Sequence, residues 1–154
     1  MRILLINGPN LNTLGTREPE IYGTLTLDDI VQRVTGRAKE LGSEIKAFQS
    51  NHEGAIIDFM QQESAWAEAI ILNGGALTHY GLALRDAITG AGIPTIEVHI
   101  SNIYAREPFR RRSLTGGACQ GVITGLGWYG YILALEALVE SQGRKTSGER
   151  PATP

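Results

Sequence analysis

Short, almost wholly apolar runs alternate along this chain with longer segments whose apolar residues recur at helical spacing. Arg2 to Ile6 is one such run, stopped by "NGPN", and reads as a strand buried on both faces that ends in turn residues. Leu27, Ile30, Val31, Val34, Ala38 and Leu41 then share a helical face behind Thr26, which can cap with Asp29 three residues on, and Gly42 closes the helix. "EIKAFQS" alternates less cleanly, as an edge strand does, and "GAIIDFMQQES" supplies a second amphipathic helix. "EAIILN" repeats the strand-then-Asn pattern. A helix through "LALRDAI" follows, ending at Gly90, then a strand "PTIEVHI", a basic loop "YAREPFRRRS", a short strand "GVIT" and a helix "YILALEALVE". "REPEIYG" fits neither helix nor strand, and the polar tail from Gln142 reads as disordered.

Strands alternating with helices at this spacing pair in parallel through right-handed crossovers. The pattern predicts an α/β fold, a doubly wound five-stranded parallel sheet of flavodoxin-like order 2-1-3-4-5, in a single domain over residues 1–141 followed by a tail over 142–154. Such sheets bind ligands beyond the carboxyl ends of their strands. The informative residues are therefore those where apolar runs turn polar: "NGPN", "NGGALTH" and "EVHIS".

Composition narrows the partner. The 154 residues suit one domain, and 42% hydrophobic with 19% charged residues is globular composition. A formal charge of -2 gives no electrostatic reason to expect nucleic acid or an anionic membrane, so a small molecule is the expected ligand. The single cysteine, Cys119, excludes an internal disulfide framework, and "MRILLI" is too short for the apolar region of a signal peptide. No apolar run approaches the roughly 20 residues that span a bilayer. A cytoplasmic location is expected.

At the third strand end, Thr95, Glu97, His99 and Ser101 project one way while Ile96, Val98 and Ile100 project the other. An edge strand with a wet face fits this, as does a structural Glu–His pair. An oriented acid fits too: Glu97 can hold one imidazole nitrogen of His99 so that the other donates a proton. Asn10, Asn73 and His79 are each explained singly by turn or capping chemistry, and it is their gathering at one sheet edge that points to a site. His52, His79 and His99 lack metal-ligand spacing, "GPNLNTLG" lacks the Lys-Ser or Lys-Thr of a phosphate loop, and no G-x-S-x-G occurs. Neither a metal nor another cofactor is expected. Arg106, Arg110, Arg111 and Arg112 fit a solvated loop, a carboxylate clamp or a subunit contact.

With no suitably placed lysine or thiol motif, Tyr22 is the remaining base. A phenol normally titrates near about 10, so it serves near neutral pH only beside a cation in a poorly solvated pocket. Arg17 is the candidate cation, on a loop bracketed by Gly15 and Gly23 as a lid would be.

Together "INGPNLNTLGTREPEIYG", "QSNHEG", "ILNGGALTH", "ALRDA" and "IEVHISNIYAREPFRRRS" resemble the type II 3-dehydroquinate dehydratases, from about Ile3 to Leu138. The resemblance implies a cofactor-free anti elimination of water from 3-dehydroquinate through an enolate, in the shikimate pathway. It implies that Tyr22 removes a C2 proton and that Arg17 on the lid assists it. Asn10 would hold a water at the enolate oxygen, and His99, oriented by Glu97, would protonate the leaving hydroxyl. It further implies substrate binding by Asn73, His79, Ile100, Ser101 and Arg110, with Asp86 reaching the site of an adjacent subunit in a dodecamer built from trimers. Two alternatives use the same residues: the same reaction in quinate catabolism, or a non-catalytic anion- or nucleotide-binding module.

Overall fold

The computed structural model describes residues 1–16 and 18–147, so Arg17, the expected lid cation, and residues 148–154 lie outside the described residues. Five strands, β1 (Arg2–Asn7), β2 (Glu44–Gln49), β3 (Ala69–Asn73), β4 (Thr95–His99) and β5 (Gly121–Thr124), pair in parallel in the order β2-β1-β3-β4-β5. This is the flavodoxin-like order expected from the alternation of elements.

Strand parity sorts the core into two layers. Ile3 and Leu5 of β1, Ala69 and Ile71 of β3, and Ile96 and Val98 of β4 pack under α2 (Leu27–Glu40) and α5 (Tyr129–Ser147). Leu4, Ile6, Ile70 and Leu72 face the other way, under α3 (Glu53–Glu63) and α4 (Leu82–Ala91). The aliphatic side chains of β1 and β3 are fully buried, and each such Leu or Ile stabilises the fold by about 1.5–3 kcal/mol relative to exposure. The expected cap on α2 is present: Thr26 Oγ1 accepts from the Asp29 N–H at 3.1 Å, and Asp29 Oδ2 accepts from the Thr26 N–H at 2.9 Å.

Three expectations need correction. The segment "REPEIYG" contains a one-turn helix, α1 (Pro19–Tyr22), begun by Pro19 at the position where its missing N–H goes unused. The terminal helix α5 runs to Ser147 instead of giving way to a tail at Gln142, with Arg144 of the extension 3.3 Å from Glu140 in the turn before it. The wet edge-strand alternative for "PTIEVHI" is overturned, because β4 lies between β3 and β5 and all five of its residues are buried.

Register then sets out the working end of the sheet. Asn7 lies opposite Asn73, and Leu72 opposite Glu97, so the carboxyl ends of β1, β3 and β4 stand side by side.

Candidate active site

A cavity of about 150 Å³ opens at this end of the sheet, and its wall brings together Asn10, Tyr22, Asn73, His79, His99, Ile100, Ser101, Arg106 and Arg110. Every expected site residue among the described ones is therefore on this wall except Glu97 and Asp86. Among the described residues no Asp or Glu lines the cavity, whereas two arginines and two histidines do. A wall of this kind attracts an anion of small-metabolite size.

Glu97 stands directly behind His99. The pair are two residues apart on β4 and share a face, which puts His99 Nε2 2.6 Å from Glu97 Oε1, with Glu97 wholly inaccessible to solvent and His99 5% exposed. Ser113 Oγ donates to the same carboxylate oxygen at 2.7 Å, and Thr115 Oγ1 donates to Oε2 at 2.5 Å. Burial is the strongest influence on Glu97 and opposes its charge. The hydrogen bonds from His99, Thr115 and Ser113 outweigh it and hold the carboxyl below its usual range. A buried carboxylate so satisfied commits Nε2 of His99 as a donor, leaving Nδ1 as the ring nitrogen for the cavity that His99 lines.

Tyr22 comes from α1, within the loop bracketed by Gly15 and Gly23, whose φ values of 92° and 81° are open to glycine and strained for other residues. Its phenol oxygen accepts from Arg106 Nη1 at 3.1 Å, and the same nitrogen donates to Ser101 Oγ at 3.1 Å. The hydrogen bond to Tyr22, more than any other contact, raises Arg106 above its usual range and keeps the guanidinium charged. Glu107 spans the loop, its Oε2 3.5 Å from Arg106 Nε and 3.2 Å from Arg110 Nε. The basic run thus divides: Arg106 and Arg110 turn toward the cavity while Arg111 and Arg112 are exposed.

The remaining wall is fixed by its loops. Asn10 adopts the left-handed conformation, φ 68°, which Asn tolerates, and its N–H donates to Asn51 Oδ1 at 2.9 Å. His79 Nδ1 bonds the Arg112 carbonyl at 2.8 Å. The carbonyls of Ile100 and Ser101 accept from the Gly127 N–H and the Thr124 hydroxyl, each at 3.0 Å, which sets the backbone after β4. Asp86 does not reach this wall. It is exposed on α4, in a separate groove shared with α3 and lined by Ile57, Met60 and Ala87. Among the described residues, no three His, Cys, Asp or Glu side chains gather as metal ligands would, and no helix is long and apolar enough to cross a membrane.

Sequence reasoning named Arg106 only as one of four loop cations and did not single out Ser113, Thr115 or Tyr131. Nothing in the spacing of "YAREPFRRRS" tells which arginines turn inward, and isolated hydroxyl residues carry no pattern.

Comparison with known proteins places the chain among relatives. The family described as Dehydroquinase class II matches residues 1–139. A 3-dehydroquinate dehydratase of Roseiflexus castenholzii is 56% identical over 144 residues, covering 94% of this chain and 92% of that protein. A catabolic 3-dehydroquinase of Emericella nidulans is 54% identical over 134 residues, covering 87% and 88%. The crystal structure of type II dehydroquinase from Butyrivibrio crossotus superposes with a TM-score of 0.88 at 47% identity, covering 90% of this chain and 97% of that one.

Proposed function

We propose that this chain, which belongs to the class II dehydroquinase family, is a 3-dehydroquinate dehydratase, a hydro-lyase that converts 3-dehydroquinate to 3-dehydroshikimate through an enolate. One observation carries the reading: a single cavity, with no carboxylate on its wall among the described residues, joins an arginine-bound phenol, Tyr22, to a carboxylate-bound imidazole, His99.

The chemistry follows from those two groups. C2 of the substrate lies beside a ketone, so a base that takes its proton leaves an electron pair that moves onto the carbonyl oxygen. Tyr22 as phenolate is that base, and the Arg106 guanidinium donates a hydrogen bond to its oxygen. Arg17 is the second cation of this reading, brought in with the lid. Asn10 holds a water against the enolate oxygen, supplying the hydrogen bond that the developing charge needs. Collapse of the enolate expels the hydroxyl β to the ketone, and the His99 imidazolium protonates it from Nδ1 while Glu97 stabilises the ring's positive charge through Nε2. Water leaves, the C1–C2 double bond forms, and the proton on Tyr22 returns to His99 through solvent. Arg110, His79, Asn73 and the backbone at Ile100 and Ser101 hold the substrate, and what supports this is their shared, cationic wall.

The wider reading is an oligomer, a dodecamer of trimers, in which Asp86 completes a neighbour's site. The position of Asp86 on an exposed face outside its own chain's cavity supports this. The reaction serves the shikimate pathway of aromatic amino acid biosynthesis, in the cytoplasm, where a chain with one cysteine needs no disulfide. The catabolic name of the Emericella nidulans relative favours a second use, in quinate breakdown. Deleting the gene separates the two: aromatic auxotrophy belongs to the first and failure to grow on quinate to the second.

The direct test is to add 3-dehydroquinate to chelator-treated protein and follow the conjugated enone by its ultraviolet absorbance. Steady accumulation is expected. A protein that binds the substrate without enone appearing would be a binding module.

A further inference from the structure

Asn73 enters the cavity at the end of β3, and its amide is held on the opposite side by a chain of buried polar groups that the mechanism above does not use. Asn7 and Asn73 share strand parity with Leu5 and Ile71, so both point toward α5, where Tyr131 is wholly inaccessible to solvent. Asn73 Nδ2 lies 2.7 Å from the Tyr131 oxygen, and that oxygen lies 2.8 Å from Asn7 Oδ1. At its other end the Asn73 amide meets the N–H of Gly75, 3.1 Å from Oδ1.

These contacts allow one direction only. The Gly75 N–H is a fixed donor, so the Asn73 group facing it is the acceptor Oδ1, and Nδ2 faces Tyr131. Tyr131 must then accept from Asn73, and its single proton goes to Asn7. Burial, the dominant influence, pushes the Tyr131 phenol far above its usual range, against the smaller opposing effect of the Asn73 hydrogen bond, so that proton stays in place. The second N–H of Asn73 is the one left for the cavity.

We propose that Tyr131 is a positioning residue for substrate recognition: its hydroxyl, anchored on Asn7, locks the Asn73 amide so that the cavity meets an N–H donor and selects an acceptor oxygen on the ligand. This rests on the dehydratase reading for the identity of that ligand, whose hydroxyl and carboxylate oxygens all accept. Without the Tyr131 hydroxyl only the Gly75 N–H still holds the amide, through Oδ1, so Nδ2 loses its anchor and its cavity-facing N–H is no longer held at one angle.

Tyr131→Phe keeps the ring in the core and removes only the hydroxyl. With 3-dehydroquinate as substrate, KM should rise about tenfold, the scale of one lost hydrogen bond, while kcat falls by less than about threefold. Tyr131→Phe combined with Asn73→Ala should be no worse than Asn73→Ala alone, because both act through one amide. Asn7→Ala should raise KM in the same direction by about threefold, and stands in should Tyr131→Phe fail to fold. Hydrogen exchange of the Asn73 side-chain amide, followed by NMR without substrate, should quicken at least about tenfold in Tyr131→Phe. An unchanged KM in a variant whose wild-type parent turns over, or effects that multiply in the double variant, would overturn the proposal. A wild type without turnover would instead sink the dehydratase reading, and the amide exchange then decides the lock alone: unaltered exchange overturns it.

Discussion

Arg106 reaches back across 84 positions of sequence to place its Nη1 3.1 Å from the phenol oxygen of Tyr22. The same nitrogen donates to Ser101 Oγ, so one guanidinium ties the base of the proposed reaction to the loop expected to hold the substrate. A Lys at this position could neutralise a phenolate, but it would lack the second edge of the guanidinium, whose Nε lies 3.5 Å from Glu107 Oε2 and holds the group in place.

Arg106→Ala should therefore lower kcat by about 100-fold, the lower end of what a positioned general base contributes, and Arg106→Lys should recover only part of it. Steady-state kinetics with 3-dehydroquinate measures both. Equal activity in the Lys variant and the wild type would reduce the role of Arg106 to simple charge.

Glu97 gives a pH signature. Its folded carboxyl titrates below the usual range, so its stabilising effect is fully present above the unfolded value of about 4.3 and is lost as pH falls through the folded value. Glu97→Gln puts an amide N–H among three donors, His99, Ser113 and Thr115, and should cost about 1–3 kcal/mol at pH 7. In urea melts from pH 7 to pH 3, the gap between wild type and variant should shrink at the acid end. A gap that is constant with pH would mean the carboxyl charge is not what holds this cluster.

The frame of the protein was readable in its sequence because its signals are repetitive. Strand runs of Leu and Ile, the Thr26–Asp29 cap and Gly42 each recur in the observed β1 and α2 as written. The polar residues at the strand ends were readable too, since Asn73, Glu97 and His99 interrupt apolar runs. What escaped was whatever depends on a distant partner. Arg106 looked like its neighbours until the fold brought Tyr22 beside it, and Ser113 and Thr115 acquire a role only through Glu97. Tyr131 read as one more apolar helix position, because burial of its ring is periodic and the partners of its hydroxyl are not.

Asp86 tests the proposed assembly. If each site takes Tyr22 from one chain and Asp86 from the next, Tyr22→Phe and Asp86→Ala subunits unfolded and reassembled together should exceed the mean activity of their parents, because some interfaces regain both residues. Confirmed mixed assemblies with only the parental mean would return Asp86 to the solvated helix face it occupies in the isolated chain.

The division of labour between Tyr22 and His99 is the centre of the account, and exchange of the C2 hydrogen of 3-dehydroquinate in deuterated water isolates it. Tyr22→Phe should abolish both exchange and elimination, whereas His99→Ala should block elimination and leave C2 exchange in place, since the base and its Arg106 partner remain intact. Loss of exchange to the same degree in both variants would contradict separate roles for the phenol and the imidazole.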